Sequence, residues 1–136
     1  MVDTGFPGES DLFDALEILH FYPEDFTAVL NTHVHFDHIG NNAAFINARI
    51  IASRVDFHYL SKFYYDIVHV DNAVDVLQHY FPHSNSKRIE LAAQHSLHIA
   101  KSYWREDLLG DMDRVEWIED QPHLAPFIEF VRTPGH

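Results

Sequence analysis

The chain has 136 residues, 46% of them hydrophobic and 14% aromatic, which suits one globular core and excludes a disordered chain. Nine basic residues against 21 acidic ones give a net charge of −12, a surface that repels nucleic-acid phosphates and anionic membranes. The absence of cysteine excludes disulfides, cysteine-ligated zinc and a cysteine nucleophile. With no basic-apolar leader and no apolar run of bilayer length, a cytoplasmic location is expected.

In chain order, Asp11 to Leu19 carries apolar residues at helical spacing, with Ser10 as the expected N-cap. Pro23 ends that element and starts a turn. Thr27-Ala28-Val29-Leu30 is short, apolar and partly β-branched, as in a buried strand, and runs directly into a polar string at residues 31–38. Asn41 and Asn42 open a short helical stretch through Phe45. Arg49-Ile50-Ile51-Ala52 reads as a second buried strand. Ser53 is the expected cap of the next helix, with Asp56 as its acidic partner. From about Val55 to Leu109 the pattern is mostly helical, with breaks near Val70-Asp71-Asn72 and at Phe81 to Asn85. The stretch from Arg88 to Leu109 reads as one or two helices, ended by Gly110. Val115 to Ile118 and Pro126 to Val131 read as strands. This order of elements predicts a layered α/β (α+β) fold.

The informative string is His33-Val34-His35-Phe36-Asp37-His38, three imidazoles and a carboxylate within six residues. A strand would send successive side chains to opposite faces, whereas a tight loop can converge them. Histidines at i and i+2 can take one cation while Asp37 and His38 turn toward a second. This donor mix suits zinc, and also manganese, iron or nickel. Thr133-Pro134-Gly135-His136 adds a rigid turn that aims one more histidine. A third imidazole from a distant loop would complete a face with one open position for a water.

These two strings resemble the metallo-β-lactamase superfamily, with its His-x-His-x-Asp-His signature and a later histidine after Thr-Pro-Gly. Val2-Asp3-Thr4-Gly5 is similar to the Asp-Thr-Gly turn that precedes the signature, and residues 47–53 are similar to the strand-to-helix step that follows it. The resemblance implies an αββα sandwich. It implies that His33, His35 and His136 bind a first metal, that Asp37 and His38 contribute to a second, and that the complete site holds two zinc ions. It gives Asp37 a further, catalytic role in orienting a bridging hydroxide and passing a proton to the leaving group. Asp3 would brace the histidine loop, and Gly40 would permit a tight backbone path. Imidazole at position 35, where the redox-active diiron members carry glutamate, favours the hydrolytic branch. Residues 37–53 lean toward its lactonase-like members, and the acidic charge disfavours its nucleases.

The resemblance also implies a partial domain over residues 1–136. The family's earlier strands, bridging aspartate and final histidine have no counterpart here, and residues 55–112 read as a helical insert. The expected function is a metal-dependent hydrolase that uses a metal-bound hydroxide on a lactone, ester, thioester or amide bond. The alternative is a non-catalytic, truncated relative that binds metal weakly and acts through protein contacts. The expected partner is a small-molecule substrate, with no nucleic acid and no membrane, and the insert offers a surface for homo-oligomers. The insert's aromatics, among them Phe57, Tyr64 and Trp104, read first as a buried helical core and second as a pocket wall. His20, His58, His69, His79, His83, His95, His98 and His123 read as structural.

Overall fold

Three of the four segments read as strands pair with one another. In a computed structural model, which describes residues 1–120, 123–125, 128–131 and 133, β1 (Ala28–Leu30), β2 (Arg49–Ala52) and β3 (Val115–Trp117) form a parallel sheet in the order β1-β2-β3. Val29 sits opposite Ile50, and Ile50 opposite Val115. Val29 and Ile50 are both fully buried, as strands covered on both faces require. The first residues extend this sheet on the outer side of β1. The terminal amino group donates to the Ala28 carbonyl at 3.1 Å, Leu30 N–H to Met1 O at 3.0 Å, and Asp3 N–H to Leu30 O at 2.9 Å. The sequence pattern alone did not mark this fourth row.

Parallel strands need crossovers, and these carry the helices. Helix α1 (Asp11–Ile18) precedes β1, and the one-turn helix α2 (Phe36–Ile39) lies between β1 and β2. Between β2 and β3 run α3 (Arg54–His69), α4 (Ala73–Tyr80) and α5 (Ser86–Ser102), followed by a 3-10 turn at Glu106–Leu109. Asn72 and Asn85 cap α4 and α5 by accepting from Val74 N–H at 3.1 Å and Lys87 N–H at 3.0 Å, so both expected breaks are built by asparagine caps. The chain therefore has an α/β fold. Among the described residues no helix is long and apolar enough to cross a membrane.

Three local readings need correction. Ser10 stands before α1 but in helical geometry (φ −84°, ψ −21°) without a side-chain cap; only its carbonyl joins the helix, accepting from Asp14 N–H. Asn41 to Phe45 forms only a 3-10 turn, Asn42–Ala44. Of the segment Pro126 to Val131, the described strand is β5 (Ile128–Glu129), which pairs antiparallel with β4 (His123–Ala125) rather than with the main sheet. A three-residue strand that includes His123 gives too short an alternation to be read from sequence.

Two apolar clusters hold these layers. One joins Leu16, Val29, Val34, Ile39, Phe45, Ile50 and Leu109 around the sheet; the other joins Tyr64, Ile67, Leu77, Ile89 and Ala100 within the helices. Leu60 and Trp104 pack against both, so the helices are anchored to the sheet through them.

Helix α3 starts as expected at Ser53, whose hydroxyl accepts from Asp56 N–H at 3.2 Å. Its acidic partner is Glu119, brought from the end of β3. One Glu119 oxygen accepts from Arg54 N–H at 2.9 Å, and the other from the Ser53 hydroxyl at 3.0 Å and Val55 N–H at 3.3 Å. Partial burial alone would raise the Glu119 carboxyl, but these donors outweigh it and hold the group below the usual carboxylate range. A depressed folded pKa contributes stability above the unfolded value, lost as pH falls through the folded one. Glu119→Ala is therefore expected to cost about 1 kcal/mol near neutral pH, with the gap to the parent protein closing below about pH 4. Urea melts at several pH values would show this; a gap that persists in acid would rule out the charged cap.

Candidate metal centre

Strand β1 ends at Leu30, and its carboxyl end delivers the polar string. Val34 and Ile39 are fully buried and pin the string at both ends, which leaves the residues around them to face outward. His33 and His35 precede α2, while Asp37 and His38 lie on its single turn. The convergence expected of a loop is thus achieved by a loop followed by a helical turn. Reversal of the chain after His35 sets the His38 ring 3.9 Å from that of His33, centroid to centroid, and the His35 ring is 4.7 Å from that of His33. Asp37 Oδ2 lies 3.9 Å from His38 Nε2.

Asp3 organises this cluster from the neighbouring row. It adopts a positive φ of 51°, which a short polar residue tolerates. Its carboxylate accepts from Thr32 N–H, from the Thr32 hydroxyl and from His38 Nδ1, each at 2.8 Å. This assigns the His38 proton to Nδ1 and leaves the Nε2 lone pair on the side of Asp37. The Thr32 hydroxyl, already donating to Asp3, can only accept from His33 Nδ1 at 3.1 Å, so His33 likewise presents Nε2 as an electron-pair donor. Thr32 was not singled out by the sequence; its one signal is a hydroxyl between a strand end and a histidine string.

A second network fixes the backbone beneath. Thr4, fully buried, donates through its hydroxyl to Asn42 Oδ1 at 2.8 Å and accepts from Asn41 N–H at 3.2 Å. The Asn41 amide donates to the carbonyls of Thr4 and Phe6 at 2.7 and 2.9 Å. The asparagines read as helix openers thus lock the Asp3 turn onto α2. Gly40 has an ordinary helical φ of −59°, so its role is contact rather than conformational freedom. A Cβ there would lie 2.3 Å from Pro7 N and 2.7 Å from Gly5 O.

His33, His35, Asp37 and His38 are therefore neighbours in space. His136, with Pro134 and Gly135, lies outside the described residues. Among the described residues, no three His, Asp or Glu side chains already share one ion-sized focus. The donor chemistry fits a divalent cation: imidazole Nε2 atoms oriented from behind by hydrogen bonds, beside one half-exposed carboxylate. His95 and His98 lie on α5, away from this string in the chain order, and His69 Nδ1 bonds the Tyr65 carbonyl at 2.9 Å.

A parallel sheet whose strand end carries this imidazole–carboxylate string defines an α/β protein with a candidate metal centre. The chain belongs to the metallo-beta-lactamase superfamily, whose pattern it matches over residues 1–136. Members of that superfamily typically bind divalent metals. The chain is 39% identical over 49 residues to an N-acyl homoserine lactonase of Bacillus sp, covering 36% of this chain and 20% of that protein. It is 40% identical over 55 residues to a probable metallo-hydrolase of Methanocaldococcus jannaschii (40% and 27% covered). It is 44% identical over 54 residues to metallo-beta-lactamase domain-containing protein 1 of Mus musculus (39% and 21% covered). The matched stretches thus span about a fifth to a quarter of these relatives' own length. No solved structure matches the chain.

Proposed function

We propose that the protein is a zinc-dependent hydrolase of a lactone or related ester, with thioester and amide bonds as chemically adjacent substrates. The observation that carries this reading is the Asp3–His38 pair, which turns the His38 Nε2 lone pair toward Asp37 at the end of β1. The names of the lactonase relatives favour the lactone. His33, His35 and His136 would hold one ion, and Asp37 and His38 a second; manganese, iron or nickel would suit the same donors. Bound metal supplies a Lewis acid and lowers the pKa of water to near neutrality. The chain's own residues do the rest. Asp3 and Thr32 hold the His38 and His33 rings. Asp37, its side chain 49% exposed, is free to take the proton of the attacking water at a carboxylate oxygen and return it to the leaving alkoxide. The strongly acidic surface favours an uncharged small substrate over nucleic acid or a membrane, and a cysteine-free chain suits the cytoplasm.

The test is elemental analysis and native mass spectrometry of the full chain purified without added metal, followed by lactone and thioester hydrolysis. Retained zinc with turnover is expected. A chain that neither retains nor binds zinc, and turns over nothing, would sink the reading and favour a non-catalytic relative. Asp3→Asn is expected to weaken zinc binding about 10- to 100-fold in a chelator competition while the fold persists. Unchanged zinc affinity would show that the Asp3–His38 bond does not serve the metal.

A further inference from the structure

We propose that the end of α1 and the turn after it form a docking surface for a basic amphipathic helix of another protein. The surface uses no residue of the metal centre and stands independently of the hydrolase reading.

Ile18, Leu19, Phe21 and Tyr22, interrupted only by His20, are 77%, 64%, 51% and 58% exposed. Ile46, also exposed, belongs to the neighbouring segment, because the Asn47 amide donates to the Glu24 carbonyl at 3.0 Å. Single exposed apolar residues are ordinary, whereas a contiguous group marks an interaction site.

These side chains stand on ordered backbone. Helix α1 closes in a Schellman motif: Phe21 N–H donates to Leu16 O at 2.9 Å and His20 N–H to Glu17 O at 3.0 Å. That closure needs a left-handed residue, and His20 fills the place at φ 57°, where glycine is the usual occupant. Tyr22 N–H donates to Asp25 Oδ2 at 2.8 Å. The Phe21 ring lies against Phe26, which in turn packs edge-on against buried Phe45. A partner therefore meets apolar groups already held in place, and little chain ordering opposes association.

Charge selects the occupant. Arg49 is the first lysine or arginine of the sequence. Asp14 lies one helical turn before Ile18, Glu17 adjoins it, and Glu24 follows Tyr22 by two residues. All three are exposed, and among the described residues none is ion-paired. Two cations lie near Ile46, and both are committed: Arg49 pairs with Glu116 at 3.0 Å, and Arg114 donates to the carbonyls of Phe45 and Ala48. A second copy would set uncompensated acid against itself, and an anionic membrane would be repelled in the same way. An amphipathic helix with lysine or arginine on its flanks is complementary to an apolar group bordered by acids. Its apolar face covers Ile18, Leu19, Phe21 and Tyr22 while its cations meet the carboxylates at the rim.

The test uses the full chain and a fluorescein-labelled helical peptide of leucine and lysine, about 18 residues long, read by fluorescence anisotropy. Saturable binding that weakens as salt rises is expected. Ile18→Ser combined with Leu19→Ser should weaken it about tenfold or more, and Asp14→Asn combined with Glu17→Gln should weaken it and flatten its salt dependence. Leu91→Ser, at an equally exposed apolar position on α5, should bind as the parent does. Hydrogen exchange on the parent protein needs no variant and should show peptide-dependent protection over residues 15–25. Absence of binding, equal binding by the Ile18→Ser/Leu19→Ser protein, or protection confined to other segments overturns the proposal. So does equal affinity for a peptide with glutamate in place of lysine, which removes charge from the recognition, or for phosphatidylglycerol vesicles, which makes the occupant a membrane. A parent protein that sediments as a dimer, and as a monomer once both serines are introduced, overturns it in favour of a second copy.

Discussion

Asp37→Asn is expected to lower kcat/KM on a lactone by about 10²- to 10⁴-fold, the span associated with losing a proton-transfer group. The substitution keeps the size and planarity of the side chain but leaves an amide that takes no proton at neutral pH. Its structural cost should be small. Asp37 is half exposed on a one-turn helix, and His38 Nε2 lies 3.9 Å from its carboxylate. The fold is instead held there by buried Val34 and Ile39 on either side. Steady-state kinetics on metal-loaded protein, with zinc content measured on the same sample, separates the two contributions the position would make. Full zinc content with reduced turnover isolates the proton role, and reduced zinc content reports its part as a ligand. Parental kcat/KM would remove Asp37 from the chemistry.

Gly40→Ala is expected to destabilise the protein by about 3 kcal/mol, at the upper end of what overpacking costs. The added Cβ would meet Pro7 N at 2.3 Å, Pro7 Cδ at 2.5 Å and Gly5 O at 2.7 Å. Two of these atoms are backbone and the third belongs to a proline ring, so none can swing aside. The only relief is to push the Asp3–Gly5 turn away from α2. That would stretch the bond from Gly40 N–H to Gly5 O, now 3.0 Å, and the Thr4 contacts beside it. Because the same turn carries Asp3, zinc affinity should fall together with stability. Gly8→Ala provides the contrast: nothing lies within 4 Å of its Cβ, and only its positive φ of 78° resists substitution, at a cost of about 1 kcal/mol. Urea denaturation of both variants tests the ranking. A Gly40→Ala protein no less stable than Gly8→Ala would show that the turn and α2 are not in rigid contact.

Much of this organisation was legible from residue order. The apolar segments at 28–30 and 49–52 announce buried strands, the two asparagine-capped breaks divide the helical region, and the string at 33–38 gathers imidazoles and a carboxylate at a strand end. These are local properties: periodicity, capping chemistry and the donor types of neighbouring side chains act over a few residues and need no partner. The resemblance added that Asp3 would support the histidines, and the three hydrogen bonds at 2.8 Å give that support its form.

Only the tertiary structure decided which distant groups meet. Glu119 rather than Asp56 neutralises the start of α3, because β3 docks beside β2 and places its carboxylate at three α3 donors. The partnership of Thr4 with Asn41 and Asn42 and the reason Gly40 has no side chain both join segments 30 or more residues apart. Sequence fixes donors, acceptors and apolar faces one residue at a time. Which of them share a site follows from close packing of the whole chain, where burying one apolar face determines what every other face must touch.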